Sequence, residues 1–151
     1  MAEPSQHGQL ELISFEIGGQ EFCIDISVVR EIRGWTPATA LPQTPEYICG
    51  IINLRGSVIP VLDLRNRLGL GRTIPSSRHV IVVVQHGSRI VGLLVDAVQE
   101  TFMVDGAVLQ EPPAMGCGGV LFIDAIIPLE GRLLSRMVVS ALMPFEMSDA
   151  A

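Results

Sequence analysis

No lysine occurs anywhere in this sequence: all ten basic residues are arginine, set against sixteen acidic ones for a net charge of −6. A field of that sign repels a polyanion, so DNA and RNA are excluded as expected partners. The absence of lysine is explained first by codon bias. Even so, arginine's planar fork suits carboxylate recognition, and Arg55, Arg65, Arg67, Arg72 and Arg78 crowd one short window. Aromatic residues are scarce, at 5%, which argues against a small-ligand carrier barrel with an aromatic-lined cavity. Cysteine appears three times (Cys23, Cys49, Cys117), never as a CxxC pair, and the first eight residues lack the charged and apolar stretches of a signal peptide. A reducing cytosol is the expected compartment. No apolar run approaches the ~20 residues needed to cross a bilayer; the nearest, residues 120–129, is broken by Asp124. No direct membrane insertion is expected, and any membrane association would come through a partner.

Catalytic and metal-binding patterns are also missing. The histidines are His7, in a polar tail, and His79 and His86, which bracket one predicted strand and so cannot share a metal ion. There is no HExxH, GxSxG or CxxC, and the glycine-rich loop at 109–119 lacks the lysine of a phosphate loop. Asp25, Asp63 and Asp96 each adjoin a predicted helical turn, where capping is the ordinary task of aspartate. No catalytic residue, cofactor or metal site is expected. The chain reads as a binding protein rather than an enzyme.

What is present is a β protein. Hydrophobic residues make up 48% of 151 positions, and a domain of that length removes roughly 68–70% of its unfolded surface from water. Residues 1–9 are small and polar and predict a flexible tail, with a single domain over 10–151. Ile13, Phe15 and Ile17 alternate with polar residues, Gly18-Gly19 marks a turn, and Phe22, Ile24 and Ile26 alternate again: a β-hairpin. Ile26, Val29 and Ile32 then recur every third residue, predicting a short helix over 27–32 with Glu31 on its polar side. Residues 35–45, with three prolines, predict a semi-rigid connection, and 46–49 a single helical turn. Residues 79–85 and 89–98 predict strands around a Gly87-Ser88 turn, and 120–129 and 133–139 the closing strands around Glu130-Gly131. Val95-Asp96 echoes Ile24-Asp25, which suggests two similar β units in succession. The loop at 69–77 is the best internal boundary.

The most position-specific stretch is 50–68. Apolar residues flank Arg55-Gly56, predicting two short strands joined by a tight turn with Arg55 at the bend. Pro60 cannot donate to a ladder, so the second strand should be an edge or be bulged there. Asp63 stands at a helix N-cap position, with Gly69 as the stop.

Asn53-Leu54-Arg55-Gly56, followed by Val58-x-Pro60-Val61-x-Asp63-Leu64-Arg65, resembles the signature of the CheW family, adaptor proteins that couple bacterial chemoreceptors to the histidine kinase CheA. The resemblance is good over residues 12–111 and poor over the last forty or so, where Met143-Pro144 replaces the family's acidic-leucine helix. It implies two small SH3-like five-stranded β-barrels packed side by side with short helices, approximately 10–70 and 78–145, their strands open to exchange. It implies a non-catalytic adaptor whose partners are the CheA regulatory domain and the chemoreceptor cytoplasmic tip, held through them at receptor arrays on the inner membrane. A related pathway such as pilus-based motility is the alternative. By the same resemblance Glu31 and Arg55 pair at a binding surface, Ile26, Val29 and Val58 make apolar contacts, and Gly50 touches the kinase.

Overall fold

The structure, a computed structural model, describes residues 8–113 and 122–143. Ten strands form two five-stranded sheets. The first contains β1 (Gln9–Ile17), β2 (Gln20–Asp25), β8 (Ala97–Asp105), β9 (Ile123–Leu129) and β10 (Arg132–Met137) in the order β8-β1-β2-β10-β9. The second contains β3 (Val29–Gly34), β4 (Ile48–Leu54), β5 (Ser57–Asp63), β6 (Val80–His86) and β7 (Arg89–Val95) in the order β3-β6-β7-β5-β4. Both are SH3-like barrels, lying side by side. The division between them does not fall at 69–77, because the second barrel is one continuous insertion between β2 and β8.

Side-chain alternation assigns each face of the central strands to a different core. On β6 the run from Ile81 to Val84 is buried throughout: Ile81 and Val83 fill the second barrel, while Val82 and Val84 enter a seam shared by both barrels. A strand covered on both faces has no polar side to show, so it reads as an unbroken apolar run. β1 does the same from the other side, sending Leu12 into the first barrel and Ile13, Phe15 and Ile17 into the seam. On β7, Gly92 lies where a Cβ would come within 2.7 Å of Ile81 Cγ2, so the glycine makes room for the Ile81 side chain in the second barrel's core.

Several local expectations are corrected. Ile26–Val28 is a single 3-10 turn, and Val29–Gly34 is a strand rather than a helix. The period-three reading lost to β-branched residues at Val29 and Ile32, which favour a pleated ladder against β6. No helical turn forms over 46–49: the Ile48 N–H donates to the Pro45 carbonyl in a turn and β4 begins at Ile48. β5 is not an edge, for it lies between β4 and β7. Pro60 is accommodated because its partner Ile51 directs both backbone groups outward to Thr39, so the proline nitrogen faces β7, where pairing starts only at Val61. The expected strand 89–98 breaks at Asp96, and β8 continues in the other sheet. Asp63 caps the short helix α1 (Leu64–Arg67) as expected, accepting from the Asn66 N–H, but Asp25 makes no capping bond and Asp96 starts no helix. β9 and β10 turn at Glu130-Gly131, and β10 runs parallel to β2 before α2 (Val139–Leu142) seals the seam. The expected tail falls mostly outside the described residues, though Gln9 already belongs to β1. Residues 114–119 of the glycine-rich loop, with Cys117, also lie outside them.

Candidate protein-docking surface

The β4–β5 hairpin turns on Arg55 and Gly56, whose φ angles of 52° and 89° put both central residues in the left-handed region of a type I′ turn. The Asn53 side-chain oxygen accepts from the Gly56 N–H at 3.0 Å and fixes the bend. Arg55 is 75% exposed, yet its Nη2 lies 2.6 Å from Glu31 Oε1, a carboxylate only 21% exposed. Glu31 stands opposite Val83 on the β3–β6 ladder, which aims its side chain to the same face as the second barrel's core. Arg33, opposite Ile81, also reaches Glu31 at 3.4 Å. One inward-leaning carboxylate thus ties the hairpin tip to β3, the strand at the opposite end of the sheet.

The other residues singled out in the sequence divide between surface and support. Val58 is 61% exposed on β5, beside the hairpin tip. Ile26 and Val29, half-buried, pack against the shared seam at the start of β3. Gly50 is buried on β4 at a register shift, with φ of 150°. A Cβ there would collide with the Thr39 carbonyl, lying 2.7 Å from its carbon and 3.1 Å from Ala38 Cβ. Thr39 bridges Ile51 through two backbone hydrogen bonds of 2.8 and 2.9 Å. Gly50 therefore allows the 35–45 connection to lie along the outer edge of β4. The glycine acts by shape, and the structural signal was the proline-rich segment that has to be seated.

Groups that could do chemistry are engaged elsewhere. Asp63, 3% exposed, accepts from the Thr73 N–H at 2.8 Å and the Thr73 hydroxyl at 2.6 Å. Burial pushes the thiols of Cys23 and Cys49 up from 9.0 to about 12. His79 contacts Ser76 and, through Nε2, lies 3.5 Å from Asp96. Among the described residues no three His, Cys, Asp or Glu side chains are grouped to hold a metal ion, and no helix is long and apolar enough to cross a membrane.

With that geometry established, comparison with known proteins is decisive. Residues 11–146 match the CheW-like domain. The chain belongs to the CheW-like family. It is 44% identical over 146 residues to the chemotaxis protein CheW of Rhizobium meliloti (strain 1021), covering 96% of this chain and 94% of that protein. A probable chemotaxis protein CheW of Rhizobium etli is 46% identical over 145 residues, with 95% and 94% covered. The crystal structure of the scaffolding protein TtCheW from Thermoanaerobacter tengcongensis superposes with a TM-score of 0.84 at 31% identity, covering 91% of this chain and 94% of that one. The CheW-like match also takes in β9, β10 and α2, the region where the sequence signature looked poor.

Sequence reading missed two features of this CheW-like chain. Arg67 is sandwiched between the rings of Tyr47 and Phe122, 4.2 and 4.8 Å from their centroids. Arg65, Arg72, Arg78 and His79 line one cleft. The first has no sequence signal, since Tyr47 and Phe122 are far apart in the chain. The second has one: no acidic residue occurs between Asp63 and Asp96.

Proposed function

We propose that this protein is a non-catalytic coupling protein that holds a chemoreceptor cytoplasmic tip and the regulatory domain of the histidine kinase CheA together, and works in the cytoplasm at receptor arrays. The observation that carries the reading is a CheW-like match over nearly the whole chain, combined with an exposed arginine on a rigid hairpin tip held by Glu31. Arg55, Val58 and the edge of β3 around Glu31 would form the contact surface, with Ile26 and Val29 beneath it and Gly50 shaping it through the seated connection. No bond is made or broken. The receptor's state changes kinase activity by favouring one arrangement of the shared interface over another, which is a coupling free energy between two binding events.

The test is reconstitution of purified protein with CheA and receptor cytoplasmic fragments, reading kinase autophosphorylation. The wild-type chain should bind both and raise kinase activity in a receptor-dependent way, and Arg55→Ala should stay folded and couple poorly. A folded wild-type protein that binds neither partner would overturn the reading.

A further inference from the structure

Between Asp63 and Asp96 the chain carries five arginines, Arg65, Arg67, Arg72, Arg78 and Arg89, and no acidic residue; all sixteen acids lie outside that stretch. The fold gathers three of these arginines, with His79, around a cleft of about 520 Å³ where the segment after α1 meets β1 and the start of β8. A local cationic surface on a chain of net −6 is a departure from its average field. We propose that this cleft is a second docking site, for an acidic segment of a partner protein. It shares no residue with the Glu31–Arg55 surface.

The cations are differently committed. Arg65 forms the floor: its Nε donates to the Leu70 carbonyl at 3.1 Å and its Nη1 lies 4.0 Å from Asp96. Asp96, one of two acids in the lining, is already occupied, since its carboxylate also accepts from the Gly18 N–H at 2.8 Å and faces His79. Glu16 is the other; with Glu46 on Arg72 the three arginines meet three carboxylates, so the site's capacity for a further acid rests on Arg78 and on exchange at Arg72. At the rim, Arg72 makes an exposed pair with Glu46 at 2.9 Å, of a kind that contributes little and exchanges readily for another carboxylate. The Arg78 side chain has no ion-pair partner among the described residues.

The wall between these arginines distinguishes a peptide from a simple anion. Thr73 is anchored on buried Asp63, and Ser76 on His79, where the Ser76 N–H donates to Nδ1 at 3.1 Å and the His79 N–H to the Ser76 carbonyl at 3.0 Å. Both ends of Ile74-Pro75 are thereby pinned, and Ile74 is held out at 85% exposure. A segment whose backbone is already held at both ends loses little further freedom on binding. An apolar prong between two arginines fits a segment that alternates carboxylates with apolar residues; a compact inorganic anion would leave it unused.

The test is a titration of 15N-labelled protein with the blocked peptide Glu-Leu-Glu-Glu-Leu-Glu, its glutamine counterpart and inorganic phosphate. The acidic peptide should shift amides across 65–79, and the glutamine peptide should bind at least about tenfold more weakly. Replacing Arg72 and Arg78 together by alanine should cost about tenfold or more, and Ile74→Ser about threefold to fivefold, with Tm unchanged because all three side chains are at the surface. The proposal is overturned by an absence of shifts in that segment, by equal binding of the glutamine peptide, or by phosphate saturating the same amides while Ile74→Ser leaves peptide affinity unaltered.

Discussion

Arg55→Asn separates the work Arg55 does for the fold from the work proposed for it at the interface. Its φ of 52° places a long L side chain in the left-handed region, at a cost of about 1–2 kcal/mol that asparagine largely avoids. The substitution creates Asn-Gly, the favoured pair for a type I′ hairpin. Against that gain stands the lost ion pair with Glu31, worth about 0–1 kcal/mol with its arginine 75% exposed, and Glu31 keeps Arg33 at 3.4 Å. The sum is a protein as stable as the parent or more stable by about 1 kcal/mol, which for this length raises Tm by roughly 2–4 °C. Thermal unfolding by circular dichroism checks the first half, and receptor-dependent activation of CheA, which should fall at least about tenfold, checks the second. A Tm more than about 4 °C below the parent would show that the pair is structural. Full coupling in a stable variant would show that the arginine is dispensable at the interface.

Gly50→Ala should be among the more damaging substitutions on β4, because the new Cβ meets the Thr39 carbonyl and the Ala38 methyl and the φ of 150° suits only glycine; a loss of about 2–4 kcal/mol in urea unfolding is expected, and an unchanged midpoint would refute the close approach. Asp63→Ala strands the Thr73 N–H, the Thr73 hydroxyl and the Asn66 N–H, and should cost about 2–4 kcal/mol by the same assay. Wild-type stability would mean that water replaces the carboxylate. In a Cys117→Ser background, Cys23 and Cys49 should resist a thiol reagent at pH 8 until the protein unfolds, since burial holds both thiols near 12. Because the folded thiols are raised above their unfolded value of 9.0, their contribution is whole below pH 9 and is lost as pH climbs toward 12. Alkaline midpoints that stay flat across that window would contradict this.

The strands were legible wherever alternation or an unbroken β-branched run set the period, as in β1, β2, β6 and the β4–β5 hairpin, whose turn residues fix the bend by themselves. They were misread where apolar spacing fits two periods at once. Val29 to Gly34 satisfies a three-residue spacing on paper, and only the β6 ladder, far along the chain, decides for a strand. Pro60 marked a missing donor, but which side of the strand it faces depends on Thr39 capturing Ile51. The Glu31–Arg55 contact came from family resemblance, because spacing alone cannot place a strand residue beside a hairpin tip at the other end of its sheet.

The two barrels follow one plan entered at different points. In each, a central hairpin (β1–β2 or β6–β7) carries an antiparallel neighbour on one side (β8 or β3) and, on the other, a parallel strand (β10 or β5) with its own hairpin partner (β9 or β4). The echo between Ile24-Asp25 and Val95-Asp96 marks equivalent ends of β2 and β7, and each aspartate meets an arginine: Arg136 on β10 at 3.0 Å, and Arg65, just past β5, at 4.0 Å. Only the second barrel is continuous in the chain, over 29–95, and it holds Val29, Glu31, Gly50, Arg55 and Val58 as well as the acid-free stretch. The first must join β2 to a strand more than a hundred residues away through a ladder that registers only Ser135 with Phe22 and Arg136 with Cys23. A surface built from neighbouring residues leaves a compact signature, which is why residues 50–68 could be read directly. A barrel assembled from the two ends of the chain leaves none, and its placement had to come from the structure.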